Sequence, residues 1–141
     1  MAVTRGWLLD KSGLARWHEP HVGSELERRL RSRQLFTCAV IELEVLYSAR
    51  SPADYAEIIA DRRQAYEWVE IDAATWRRAA DLQARLAAQS QVRAAGVADL
   101  LIAATAMQHG LTVLHYDRDF ELLARLGGVS EEPVAPLGSL S

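Results

Sequence analysis

The sequence predicts an α/β protein of three layers, α/β/α, with a short and mostly parallel central sheet. Two observations predict it. Short apolar runs alternate with helix-period segments along the chain, the order of strand–helix–strand units. Those runs are near-continuous rather than alternating, as in strands covered on both faces. A chain of 141 residues is of ordinary size for one domain. Residues 1–141 are therefore expected to form a single domain, with 127–141 as a tail.

Each element has its own signal in the sequence. Trp7-Leu8-Leu9 reads as a short buried strand. Leu14 to Trp17 starts a helix that Pro20 breaks. Glu25 to Arg33 is charged, with Leu26 and Leu30 four apart, an amphipathic helix with a thin apolar stripe. Leu35-Phe36 reads as a second strand, and Thr37 as the N-cap of a helix reaching Ser48 or Arg50. Ser51-Pro52 marks a new helix start. Trp68 to Ile71 alternates as a strand does, and Asp72 is placed to cap the helix carrying Ala79, Leu82 and Leu86. The polar stretch from Ala88 to Ala98 reads as a loop. A helix of small and apolar residues follows, with Gly110 placed to end it. Leu111 to His115 is the clearest strand, and Phe120 to Leu126 reads as the last helix. The segment from Val129 reads as a sheet edge or an arm.

Composition narrows the chemistry. Half of the residues are hydrophobic and a quarter are charged, so a packed core is expected. The single cysteine, Cys38, excludes an intrachain disulfide and reads as a small core residue. Lys11 is the only lysine, so a Schiff-base or P-loop lysine has no other place. No serine nucleophile elbow and no zinc-type Cys/His spacing is present. No apolar run reaches the roughly 18 residues that a membrane helix needs, and no stretch resembles a secretory h-region. The expectation is a cytoplasmic protein with no membrane partner. The net charge of −3 argues against nucleic acid. Setting aside four metal-bound carboxylates would turn the balance slightly positive, so charge alone does not decide.

Four acids carry the chemical signal. Asp10 follows the first strand, Glu44 lies inside an apolar helix, Asp99 opens the small-residue helix, and Asp117 ends the clearest strand. Each one singly reads as a cap or an ion pair, Asp99 most of all. A carboxylate in an apolar setting is costly without a compensating charge. In parallel α/β sheets, ligands sit beyond the carboxyl ends of the strands. Asp10, Asp99 and Asp117 can converge there around a hard divalent cation.

Four stretches carry a family resemblance: Leu8-Leu9-Asp10-Lys11-Ser12, Glu42 to Arg50, Ala98-Asp99-Leu100-Leu101-Ile102-Ala103-Ala104-Thr105-Ala106, and His115-Tyr116-Asp117-Arg118-Asp119-Phe120. In this order, and over about residues 6 to 126, the chain resembles the PIN-domain ribonucleases, and specifically the VapC toxins of VapBC toxin–antitoxin systems. The resemblance implies the PIN three-layer fold and a Mg²⁺-dependent endoribonuclease, with Mn²⁺ as a possible substitute. It places the metal-binding and catalytic acids on Asp10, Glu44, Asp99 and Asp117. Ser48 stands where the family often has glycine, which leaves Glu42 as the alternative to Glu44. Asp119 is the alternative to Asp117, or else caps the Phe120 helix. Ser12 or Thr105 is placed to orient a carboxylate or water. The implied partners are an RNA substrate and a VapB-type antitoxin, in a homodimer, a heterotetramer or a hetero-octamer. An antitoxin arginine among the acids would block the site.

Other residues have two readings each. Arg28, Arg29, Arg31 and Arg33 contact RNA phosphates or pair with Glu25 and Glu27. Arg118 is a candidate phosphate clamp. His115 is a general base or a strand residue pointing away from Asp117. His18, His21 and His109 show no ligand spacing. Trp7, Trp68 and Trp76 are assigned to the core, and Trp17 is a lesser candidate to stack on a base or a partner from an exposed helix face. A receiver or phosphotransferase is disfavoured because no lysine follows Lys11. A catalytically silent PIN domain that binds RNA or protein is expected to lack one of the acids, and none is missing.

Overall fold

The computed structural model describes residues 5–141. Five strands form one sheet: β1 (Trp7–Leu9), β2 (Leu35–Thr37), β3 (Glu67–Trp68), β4 (Thr112–His115) and β5 (Glu131–Pro133). Their order is β3-β2-β1-β4-β5, and every neighbouring pair is parallel. Seven helices among the described residues connect and cover them: α1 (Lys11–Leu14), α2 (Pro20–Arg31), α3 (Ala39–Leu46), α4 (Pro52–Ala65), α5 (Ala73–Ala88), α6 (Val97–His109) and α7 (Arg118–Gly127).

Strand alternation divides the core into two layers. Leu8, Phe36 and Val113 join the larger cluster, with Ile41 of α3, Leu82 of α5, Ile102 of α6 and Phe120 of α7. Leu9, Leu35 and Leu114 join the smaller one, with Val22 and Leu26 of α2. Cys38 is fully buried in the larger cluster, as a small core residue. The three-layer parallel architecture is the one the apolar runs predict.

Several local expectations change. Pro20 does not break a helix. It occupies the first turn of α2, where a missing N–H leaves no orphan. Thr37 belongs to β2, and the N-cap of α3 is Cys38, which makes no side-chain capping bond. The third strand is shorter than its alternation suggests. After Val69 donates to the Thr37 carbonyl the chain leaves the sheet, because Asp72 and Thr75 close a capping box that starts α5. Trp68 and Trp76 are exposed by half or more and are not core residues. Trp7 is half-buried, with the Arg29 guanidinium 4.1 Å over its ring, and Trp17 packs against the smaller cluster. The segment after Val129 is the edge strand β5. Its Pro133 sits at the end of an edge strand, where no ladder donor is required of it.

Other signals hold. Ser51 caps α4 by accepting from the Asp54 amide, and Gly110 ends α6 in the left-handed region at φ 67°. A side chain at Gly110 would be strained there.

Candidate metal centre

The chain runs outward from β1 through β2 to β3, then returns to place β4 on the other side of β1. The switch point therefore lies between β1 and β4, and in such sheets the crevice beyond the carboxyl ends is the ligand site. Asp10 follows β1 and Asp117 follows β4. Asp99 is the third residue of α6, and Asp119 lies in the first turn of α7. Each acid reaches this edge because a strand ends there or a helix begins there.

Carboxylate oxygens of Asp99, Asp117 and Asp119 lie within 4.8 Å of one another. Burial, and then the charges of Asp10, Asp117 and Asp119, push the Asp99 carboxyl from 3.8 up to about 7. A hydrogen bond shared with Asp119 acts in the same direction. The N-terminus of α6 should favour a charged Asp99 by at most about 2 kcal/mol. Desolvation and repulsion outweigh that dipole term. Asp99 is not a cap; Gly96 holds that position. The Glu44 carboxyl is raised too, by burial first and by Asp10 second, against the opposing charge of Lys11. The Lys11 ammonium also donates to the Glu44 backbone carbonyl at 3.1 Å. Lys11 thus belongs to the rim of the site, although its isolation in the sequence gave no hint of a role.

The surrounding bonds fix the acids. Asp10 is buried, and its Oδ2 accepts from the Ser12 amide at 2.9 Å and the Ser12 hydroxyl at 2.6 Å. The same hydroxyl accepts from the Tyr116 amide at 2.9 Å, tying the end of β1 to the end of β4. Thr105 does not take part. Its hydroxyl donates to the Leu101 carbonyl inside α6. Asp117, not Asp119, caps α7, with Oδ1 accepting from the Asp119 amide at 2.9 Å. Asp119 is left free to join the acidic cluster.

His115 neither points away from Asp117 nor faces solvent. It is fully buried, its Nδ1 accepts from the Asp117 amide at 3.0 Å, and its Nε2 bonds Glu131 at 2.8 Å. Sequence reasoning missed this positioning role, because β4 ends at His115 and the bond runs to a backbone amide in the turn beyond it.

Glu42 and Glu44 separate clearly. Both Glu42 oxygens accept from Arg62, at 2.7–2.9 Å, and Thr37 donates to one of them. The Arg62 guanidinium lies 4.2 Å over the Tyr66 ring. Glu42 is thus satisfied in a part-buried pair, whereas Glu44 faces Asp10 and Lys11 electrically. The arginines of α2 and the turn after it are also committed: Arg28 and Arg29 to Glu25, Arg29 also to Glu132, Arg31 to Glu27, and Arg33 to Glu67. Arg118, exposed between two acids, has no hydrogen-bond or ion-pair partner among the described residues.

An all-carboxylate set, partly buried and mutually repelling, fits a hard divalent cation and fits poorly a soft metal or an organic cofactor. Asp99, Asp117 and Asp119 can hold such an ion, with Asp10 adjacent.

Comparison with known proteins identifies the family. The PIN domain matches residues 7–126. Ribonuclease VapC21 of Mycobacterium tuberculosis is 38% identical over 132 residues, spanning 94% of each chain. Ribonuclease VapC51 of the same organism is 37% identical, over 95% of this chain and 96% of its own. The crystal structure of DNA-bound VapBC from Salmonella typhimurium superposes with a TM-score of 0.74 at 20% identity, over 92% of this chain and 98% of that one. The chain belongs to the PIN-domain family and, within it, to the VapC ribonucleases.

Proposed function

We propose that this protein is the toxin of a toxin–antitoxin pair and a Mg²⁺-dependent endoribonuclease, Mn²⁺ being able to substitute. The observation that carries the reading is the convergence of Asp10, Asp99, Asp117 and Asp119 at the switch point, with the Asp99 carboxyl pushed up to about 7. The names of its relatives, Ribonuclease VapC21 and VapC51, supply the reaction class.

Asp10, Glu44, Asp99 and Asp117 are the assigned ligands and catalytic acids, and the position of Asp119 supports adding it. A bound divalent cation supplies a Lewis acid for phosphodiester hydrolysis, neutralising charge as an in-line displacement proceeds. The rest falls to the chain. Ser12 holds the Asp10 carboxylate in one orientation, and His115 holds the turn that carries Asp117. Glu44, with a raised pKa and outside the tight trio, accepts the proton of the attacking water. The water oxygen bonds phosphorus as the bond to the 3′-oxygen breaks, and that oxygen takes its proton from solvent. Arg118 meets a non-bridging phosphate oxygen.

An antitoxin of the VapB kind is the partner assigned to this chain, since VapBC complexes are among the proteins that share its fold. A basic side chain of that partner seated among the acids would supply the missing positive charge and exclude RNA. The assembly is a homodimer, or a heterotetramer or hetero-octamer with antitoxin, in the cytoplasm. No described helix is long and apolar enough to cross a membrane.

The test is expression and cleavage together. Expression without a partner should arrest growth, and the purified protein should cut RNA with Mg²⁺ or Mn²⁺. Asp99→Ala should abolish both while the protein stays folded. Growth arrest by a variant that cannot cut RNA would overturn the reading.

A further inference from the structure

The arginines that the sequence first offers to RNA, on α2 and the turn after it, are all paired. Those on α5 are not. A groove of about 380 Å³ opens between α5 and the end of α6, and Arg77, Arg78 and Arg85 line it. Among the described residues, Arg77 makes no hydrogen bond or ion pair. Arg78 bonds only the neutral side-chain oxygen of Gln108, at 3.1 Å, and Arg85 reaches only the Gly127 carbonyl, at 3.5 Å. One carboxylate, Asp81, shares the groove and pairs with none of the three. Three guanidinium groups against one carboxylate leave a local excess of positive charge on a chain whose net charge is −3.

We propose that this groove is a second RNA contact, which binds backbone phosphates away from the point of cleavage; the proposal rests on the ribonuclease reading. Guanidinium forks match phosphate oxygens in geometry, and arginines without internal partners keep that capacity. A protein partner fits less well. Protein interfaces are anchored by buried aromatic or aliphatic side chains, whereas the groove has no aromatic residue, its Leu82 is buried in the core, and Ala74 and Met107 stand among five charged or polar residues. Gln108 lies nine residues beyond Asp99 on the same helix. At about 1.5 Å per residue that is about 13 Å. At about 3.4 Å per phosphate along a helical strand, about four nucleotides separate the two contacts. The groove therefore favours long or folded RNA over short fragments.

Binding of purified bulk transfer RNA and of a uridine trinucleotide is measured by the full-length protein in EDTA, across a salt series. Arg77→Glu should weaken transfer RNA binding and lower the slope of log K against log salt by about one. Trinucleotide binding should not change. Asp81→Asn should move affinity the other way, a gain that misfolding cannot produce. Unchanged transfer RNA affinity in both variants would overturn the proposal. So would a loss confined to an acidic protein partner, which would assign the groove to protein instead. Because no metal is present and no cleavage is scored, failure here leaves the ribonuclease reading untouched. Failure of the nuclease itself would show separately, as cleavage that survives Asp99→Ala.

Discussion

The Ser12 hydroxyl donates to Oδ2 of Asp10 at 2.6 Å and in turn accepts from the Tyr116 amide. One small side chain thereby sets the orientation of a buried carboxylate and locks the ends of two adjacent strands. Ser12→Ala removes both bonds and leaves a part-buried amide without its partner. The expected loss is about 1–3 kcal/mol of stability, read by denaturant unfolding. The rate of RNA cleavage should fall more than affinity for RNA does, because Asp10 is displaced rather than removed. Thr105→Val, by contrast, should leave the rate of the folded enzyme near wild type.

Glu42 and Arg62 form a pair whose side chains are 16% and 8% exposed. Removing one partner of such a pair leaves a largely buried charge, so Arg62→Ala should cost about 3–5 kcal/mol. Glu42→Gln should lower stability and leave divalent-metal affinity unchanged. Glu44→Gln should do the reverse, with weaker metal binding by calorimetry and little loss of stability. Equal loss of metal affinity in both variants would contradict the separation.

The repulsion at Asp99 has a definite pH signature in the metal-free protein. Its carboxyl is raised from 3.8 to about 7 in the fold. The native state therefore binds more protons than the unfolded state between those values, and stability falls as pH rises through that window. Thermal melting in EDTA should show the fall between about pH 4 and 7, and added Mg²⁺ should reverse it near neutrality. Asp99→Asn should raise the melting temperature of the metal-free protein at pH 7 by a few degrees while abolishing cleavage.

The central strands and the acids at their ends were legible in the sequence because β1 and β4 are covered on both faces and read as apolar runs. The edge strands were legible only in outline, β3 with the wrong extent and β5 as an edge or an arm. β3 has two residues and β5 is Glu131-Glu132-Pro133, so neither carries an apolar pattern. Choosing between Glu42 and Glu44 was beyond sequence reasoning for another reason. Two residues on a helix differ by about 200° in direction, and what distinguishes the surroundings of Glu42 is Arg62, which arrives from the next helix. Asp117 and Asp119 were ambiguous because both roles, cap and cluster member, are open to an acid at a helix start.

His115 is buried with both ring nitrogens engaged. His115→Asn should lower stability by about 1–3 kcal/mol and reduce the rate, while the shape of the pH–rate profile stays the same. A lost limb of that profile would instead make His115 the general base.

The most direct test of the central claim is metal add-back. Protein stripped with EDTA should not cleave RNA, and Mg²⁺ or Mn²⁺ should restore cleavage to the wild type and not to Asp99→Asn. Cleavage that persists in EDTA, or full restoration in Asp99→Asn, would contradict the account.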